Sequence, residues 1–133
     1  MTASDPDSAT QTDARRVAIT MARAAADARC EDVVLIDVRG LSQLTDYIII
    51  GSGSSDRQMR SAAQDAEDAV KELGESIFGV TSDTGAHWIV VDLVDVVLHL
   101  FDPSARAHYD LESLWGDGER VRWQREEAAE DEG

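Results

Sequence analysis

The chain has 133 residues and a formal net charge of −15, because 27 acidic side chains outnumber 12 basic ones. This length allows one ordinary domain, and a hydrophobic content of 43% predicts a folded core. Since so acidic a chain repels phosphate groups, the composition argues against nonspecific binding of nucleic acids or anionic membranes. The charge instead favours a basic protein, or a basic patch on an assembly, as the partner.

No apolar run approaches the roughly 20 residues that a membrane-spanning helix needs, and residues 1–13 lack the features of a secretory signal. Cys30 has no second cysteine with which to form a disulfide inside the chain. We therefore expect a cytoplasmic protein that does not bind membranes. Both ends are acidic and poor in large apolar side chains, so we expect disordered tails at residues 1–12 and 124–133 around one domain at 13–123.

The first half of the chain predicts a helix, two strands and a second helix. Small and apolar residues recur with helical spacing at residues 13–28, and Thr12 or Asp13 can cap this helix. Runs of β-branched residues predict strands at 33–38 and 45–50. Because both runs are apolar on consecutive residues, both faces of their sheet should be covered, as in a layered α/β domain.

A segment rich in glycine and serine at residues 51–56 should end the second strand and open an amphipathic helix. Ser54 or Ser55 can cap the start of this helix, and Gly74 stands where a left-handed residue would end it. Its apolar stripe consists of Met59, Ala62, Ala63, Ala66, Val70 and Leu73.

The second half of the chain predicts further strands and one helix. Extended segments are expected at residues 77–80, 87–93, 96–101 and 121–123. Asp102 can cap a helix that has Pro103 in its first position and runs to about Trp115. These elements predict an α/β fold, a single layered domain with a mixed sheet of about five strands flanked by helices.

The segment at residues 51–55 also raises the question of a phosphate site, because helix N-termini bind anions. A dinucleotide fingerprint needs a third glycine where Asp56 stands, and the chain has no phosphate-loop lysine. A nucleotidyltransferase needs paired carboxylates, but Asp65 and Glu67 lie on a predicted helix, about 200° apart around its axis. We interpret the segment as a capped turn, with a nucleotidyltransferase-like or phosphate-binding enzyme as the alternative function.

The remaining candidate catalytic residues do not form a recognisable site. The three histidines and Cys30 lack the spacing of metal ligands. His99 shares a predicted strand face with Phe101, where one hydrogen-bond partner inside the sheet is the simpler interpretation. We therefore predict no catalytic residue, no metal site and no cofactor.

Large aromatic side chains concentrate in the last third of the chain. Those that follow residue 85 are Trp88, Phe101, Tyr109, Trp115 and Trp123. Aromatic side chains beside a carboxylate such as Asp110 are typical of a protein-binding hot spot for a basic partner. The alternative interpretation is ordinary core packing beneath the last helix.

Five segments resemble the ribosomal silencing factor family, also called Iojap-related, and the resemblance spans about residues 13–121. The segments are TDYIII at 45–50, GSSDRQ at 53–58, WIVVD at 88–92, DVVLH at 95–99 and YDLESLW at 109–115. Their number, order and spacing make the resemblance specific. It implies a non-catalytic protein whose α/β fold is nucleotidyltransferase-like without a transferase site.

The resemblance also implies a function. Members of this family bind the large ribosomal subunit through its fourteenth large-subunit protein, a basic protein on the subunit-joining face. There they block docking of the small subunit and slow translation when nutrients are scarce, and they are often dimeric when free. The partner-contacting positions of the family fall on Trp88, Leu93, Tyr109, Asp110 and Leu111.

Two departures from the family pattern affect the region around the predicted contact residues. Thr81 and Ser82 stand where the family has glutamate and glycine, and Val94 stands where it has a glycine in the turn. Valine is poorly suited to positive φ, so we expect the turn beside Leu93 to differ from that of the family.

Overall fold

A mixed sheet of six strands runs through the computed structural model, which describes residues 6–83, 85 and 87–125. In chain order the elements are α1 (Pro6–Asp27), β1 (Glu31–Asp37), β2 (Tyr47–Ser52), α2 (Asp56–Glu72), β3 (Gly79–Ser82), β4 (Trp88–Asp92), β5 (Val96–Phe101), α3 (Pro103–Tyr109), α4 (Leu111–Leu114) and β6 (Glu119–Arg120). The strand order is β3-β4-β5-β2-β1-β6, with only β2 and β5 parallel among the described strands. The predicted α/β fold with a mixed sheet is confirmed, with six strands rather than about five.

Helix α1 begins at Pro6, before the predicted start at Asp13. Proline is well tolerated in the first turn of a helix, where its missing N–H would be unpaired anyway. Residues 6–12 are therefore helical where the sequence predicts a disordered tail, whereas tail residues 1–5 and 126–133 lie outside the described residues. The buried side of α1 consists of Ala14, Val17, Ala18, Met21, Ala22 and Ala25.

Strands β1 and β2 have buried residues on both faces, as the sequence predicts. Successive residues alternate between two cores: Leu35 and Ile49 belong to the core that packs under α1 and α2. Ile36 and Ile50 belong to a second core on the other side of the sheet. We call these sides the helix face and the opposite face. On the opposite face, α3 and α4 supply partly buried side chains, among them Leu111.

Helix α2 has the caps that the sequence predicts. The Ser55 side chain accepts a hydrogen bond from the backbone N–H of Gln58 at 3.1 Å, and Gly74 has a left-handed φ of 88°. The prediction that the strand ends before residue 51 is wrong, because β2 continues through Ser52 in parallel register with β5. The turn between strand and helix is correspondingly shorter.

The strands at the two sheet edges are short and exposed, so the sequence marks them poorly. β6 is Glu119–Arg120 rather than the predicted 121–123, and β3 consists of four residues that are exposed or half-exposed. Beyond β6, the backbone N–H of Val121 and the indole N–H of Trp123 donate to carbonyl oxygens of β1 at 2.8 and 3.1 Å. Among the described helices, none combines the length and the apolar character needed to cross a membrane.

The last predicted helix is interrupted. Asp102 caps α3 by accepting a backbone N–H of its first turn at 2.7 Å, with Pro103 in the first position, as predicted. The helix ends at Tyr109, however, and Asp110 has a left-handed backbone (φ 48°, ψ 47°) before the one-turn helix α4. The prediction of one continuous helix to Trp115 is therefore wrong, and aspartate is one of the few residues besides glycine that adopt this conformation readily.

Backbone strain is present in the turn between β4 and β5. Val94 has a φ of 77°, and the N–H of Asp95 donates to the carbonyl oxygen of Leu93 at 3.0 Å, which makes a γ-turn. A β-branched residue in this conformation costs on the order of 1–3 kcal/mol. The Val94 side chain is 48% exposed, so burial offsets little of that cost.

Replacing Val94 by glycine should therefore stabilise the fold. We expect Val94→Gly to raise the free energy of unfolding by about 1 kcal/mol, because relief of strain exceeds the extra entropy that glycine loses on folding. Val94→Ala keeps a Cβ and should gain less. Chemical denaturation of the three proteins measures the difference, and a glycine variant less stable than the parent would contradict the strain.

Candidate binding surface

Four of the five predicted contact residues lie together where the ends of β4 and β5 meet α3 and α4. The ring centroid of Trp88 lies 4.6 Å from that of Tyr109 and 5.0 Å from that of Phe101. Asp110 and Leu111 follow Tyr109 directly in the chain. We call the following set the aromatic surface: Trp88, Tyr109, Asp110, Leu111 and Leu114.

A hydrogen bond to His99 fixes the orientation of the Trp88 indole. The indole N–H donates to Nδ1 of His99 at 3.1 Å, and the two ring centroids lie 5.9 Å apart. Burial lowers the pKa of His99 to about 4, so the ring is neutral at pH 7 and Nδ1 can accept. The interpretation of His99 as a histidine with one partner inside the sheet is confirmed.

The aromatic surface packs against the core on its inner side and is exposed to solvent on its outer side. Tyr109 is 49% exposed and Leu114 is 67% exposed, whereas Trp88 and Leu111 pack against the core of the opposite face. The Asp110 side chain makes no capping hydrogen bond and lies at the surface. Rigid apolar side chains beside an exposed carboxylate are typical of a protein-binding hot spot. The core-packing interpretation therefore holds for the inner side of the cluster, and the interpretation of its exposed side as a binding surface stays a prediction.

Arg106 on α3 connects the aromatic surface to the sheet. Its guanidinium donates through Nη2 and Nε to the two carboxylate oxygens of Glu112 at 2.6 and 3.3 Å. Its Nη1 donates to the hydroxyl of Ser52, the last residue of β2, at 2.8 Å. Arg106 holds the pKa of the Glu112 carboxyl below its usual range, chiefly by hydrogen bonding. These contacts join the two short helices on either side of Asp110.

A second set of polar contacts fixes the beginning of β4. Asp83 accepts the backbone N–H groups of His87 and Trp88 at 2.7 and 3.1 Å. The imidazole of His87 contacts the Asp102 carboxylate at 2.5 Å, and that carboxylate raises the pKa of His87. Asp102 also caps α3. Its carboxylate therefore links His87, just before Trp88, to the first turn of the helix that carries Tyr109.

Leu93, the fifth predicted contact residue, does not join the aromatic surface. Trp88 is the first residue of β4, and Leu93 follows its last residue. The two are therefore about 16 Å apart along the strand. The Leu93 side chain packs with the helix-face core, together with Ile89 and Val91. Alternation along the strand places these three residues on one face and Trp88 on the other.

The segment at residues 51–55 is filled by the protein itself. The backbone N–H of Ser54 donates to the side chain of Gln58 at 2.9 Å, and the N–H of Gln58 donates to Ser55. A Cβ on Gly53 would lie 2.1 Å from the Met59 side chain, so the turn packs closely against α2. Two of the amides near this helix N-terminus, those of Ser54 and Gln58, therefore already have partners within the chain.

The described residues contain no cluster of three or more histidine, cysteine or acidic side chains that could hold a metal ion. The only cysteine, Cys30, is buried, and burial raises the pKa of its thiol. A high thiol pKa disfavours the thiolate, so Cys30 is a poor nucleophile.

Three residues that support the aromatic surface, Arg106, Glu112 and His99, were not assigned to it from the sequence. Arg106 and Glu112 are six residues apart, and on the predicted continuous helix they would lie on different sides. His99 is interpretable as a core residue, but its partner could not be named. One pattern could have identified the partner of His99. His99 lies two residues before Phe101 on β5, and Phe101 is paired with Trp88 on β4.

The pH dependence of stability should report the burial of a neutral His99. The folded pKa of about 4 lies below the value of about 6.5 in an unfolded chain, so the unfolded state binds the proton first as the pH falls. Stability from His99 is thus lost between about pH 6.5 and 4, at up to about 1.4 kcal/mol per pH unit. We expect His99→Asn, which lacks this titration, to show a shallower pH dependence in chemical denaturation. Parallel curves for the two proteins would contradict a buried, neutral His99.

Comparisons with known proteins agree with this architecture. A family model described as "Ribosomal silencing factor during starvation" matches residues 11–133. The chain is 40% identical over 96 residues to "Ribosomal silencing factor RsfS" of Bacillus subtilis (strain 168), covering 72% of this chain and 81% of that protein. It is 31% identical over 87 residues to "Mitochondrial assembly of ribosomal large subunit protein 1" of Mus musculus, covering 63% of this chain and 38% of that protein.

The fold has a close counterpart among solved structures. A crystal structure of a protein from Chromobacterium violaceum aligns with a TM-score of 0.74 at 29% identity, covering 84% of this chain and 92% of that one. The family match spans most of the chain, and the Bacillus subtilis relative is matched over most of its own length. The chain therefore belongs to the ribosomal silencing factor family.

Proposed function

We propose that this chain binds the large ribosomal subunit through its aromatic surface and so prevents the small subunit from joining, which represses translation. The proposed partner is a basic protein on the subunit-joining face, the fourteenth protein of the large subunit. The observation that carries the proposal is the exposed aromatic surface itself, with Tyr109 49% exposed above a fixed Trp88. The name of the mouse relative, which refers to the ribosomal large subunit, is consistent with this partner.

The geometry of the aromatic surface favours protein binding. Ring contacts hold Trp88 and Tyr109, and a hydrogen bond to His99 also holds Trp88, so little side-chain entropy is lost when a partner covers them. Aromatic side chains fixed in this way carry much of the binding energy at protein interfaces. Leu111 and Leu114 extend the apolar area at the same place.

Charge supports a basic partner. Asp110 presents an exposed carboxylate beside the aromatic rings, where it can pair with a lysine or arginine of the partner. The net charge of −15 draws the chain toward a basic protein and repels the RNA of an approaching small subunit. Leu93 lies apart from the aromatic surface, so we propose it as a contact with a different part of the partner.

We also propose that the protein acts without catalysis, in the cytoplasm, and that the free chain is a homodimer. The filled turn at residues 51–55 supports the absence of a phosphate-handling activity there. The family resemblance supports the dimer. Sedimentation of the free chain at several concentrations tests whether a dimer exists. Cosedimentation with large ribosomal subunits then tests whether one or two copies bind.

Removing an aromatic anchor should weaken binding to large subunits. We expect Trp88→Ala and Tyr109→Ala each to reduce affinity for purified large subunits by about 2–4 kcal/mol, the usual loss at a hot spot. Phe78→Ala is the matched control, because Phe78 is a 75% exposed aromatic residue outside the aromatic surface. Equal affinity of both anchor variants and the parent would show that the interface lies elsewhere.

The contribution of Asp110 should depend on salt. We expect Asp110→Asn to lose about 1 kcal/mol of binding at low ionic strength and less at high ionic strength, because salt screens the charge pair. Asp65→Asn on the exposed side of α2 removes the same charge away from the aromatic surface. The two variants should therefore differ at low salt, and identical affinities across the salt range would argue against a charge pair at Asp110.

A further inference from the structure

The contacts of Arg106 span Asp110, the left-handed residue at which the helix is interrupted. We call this interruption the break. Arg106 lies before the break and pairs through its side chain with Glu112, which lies after it. The carbonyl oxygen of Arg106 also accepts the backbone N–H of Asp110 at 2.9 Å. One residue therefore holds the chain on both sides of the left-handed position.

The same arginine is anchored to the sheet beneath the aromatic surface. Its third contact, Ser52, is buried and lies opposite Phe101 in the parallel register of β2 and β5. Phe101 in turn stacks against Trp88. Only 12% of the Arg106 side chain is exposed, so solvent screens these contacts weakly. Ser52, which bonds Arg106, and Phe101, which stacks against Trp88, are therefore paired neighbours in the sheet.

The ion pair can form only when the helix is broken. If the helix continued through Asp110, residues six apart would lie about 120° apart around the axis and about 9 Å apart along it, on different sides. Arg106 and Glu112 could not then meet. Helix α4 is a single turn, too short to be stable by its own hydrogen bonds, so its position depends on contacts of this kind.

From this geometry we infer that Arg106 is a positioning residue of the binding surface: its bonds to Glu112 and Ser52 select the broken conformation that places Tyr109, Asp110 and Leu111 for contact. This inference rests on the proposed function, because it assumes that the aromatic surface binds the large subunit. Arg106 itself faces inward, toward Ser52 and Glu112, and acts through the residues that follow it.

A double-mutant cycle separates positioning from direct contact and from general stability. Arg106→Lys keeps the charge but loses the two-pronged bond, since lysine cannot donate in the planar fork of a guanidinium. We expect Arg106→Lys to lower affinity for purified large subunits about tenfold in the parent chain, yet only about threefold in a Tyr109→Ala chain, where Asp110 and Leu111 still need positioning. Arg60→Lys is the matched control, because Arg60 forms an exposed ion pair on α2.

Thermal unfolding of every variant accompanies the binding measurements. If Arg106→Lys is unfolded at the assay temperature, Glu112→Gln provides the same cycle with almost unchanged side-chain volume. Parent-like affinity of a folded variant, or an equal loss with and without Tyr109, would overturn the positioning role while leaving the proposed function intact. Parent-like affinity of both Trp88→Ala and Tyr109→Ala would instead contradict the proposed function.

Discussion

The left-handed backbone at Asp110 determines how the last third of the chain is presented. It turns α4 away from the axis of α3, so that Leu111 packs against the opposite face of the sheet while Tyr109 remains over Trp88. Without this break, the aromatic rings and the leucines would follow one helix and spread around its circumference. The surface that we propose for binding is therefore a product of one backbone conformation and of the Arg106 contacts that favour it.

The aromatic surface combines two properties that usually compete. Its base is core, with Phe101 buried and His99 bonded to Trp88, and its top is exposed. Leaving apolar area exposed lowers the stability of the fold. The rigid shape of the surface, however, loses little conformational entropy on binding. The strong acidity of the chain adds long-range attraction to a basic partner, whereas the apolar contacts supply short-range affinity.

Local patterns predicted much of the fold but not the break. Consecutive β-branched residues identify β1 and β2, and the caps Ser55 and Asp102 follow from side chains that bond nearby amides. The interruption at Asp110 depends on an ion pair with no local signature, and the edge strands are too short for periodicity to show. Of the five contact residues that the family resemblance predicts, the structure brings four together, whereas alternation along β4 places Leu93 on the other face of the sheet.

The central claim is that the bound chain prevents the two ribosomal subunits from joining. Its most direct test is density-gradient sedimentation of mixed large and small subunits with increasing amounts of the purified chain. Joined particles should decline while the chain migrates with free large subunits. Undiminished joining at saturating concentrations of the chain would contradict it.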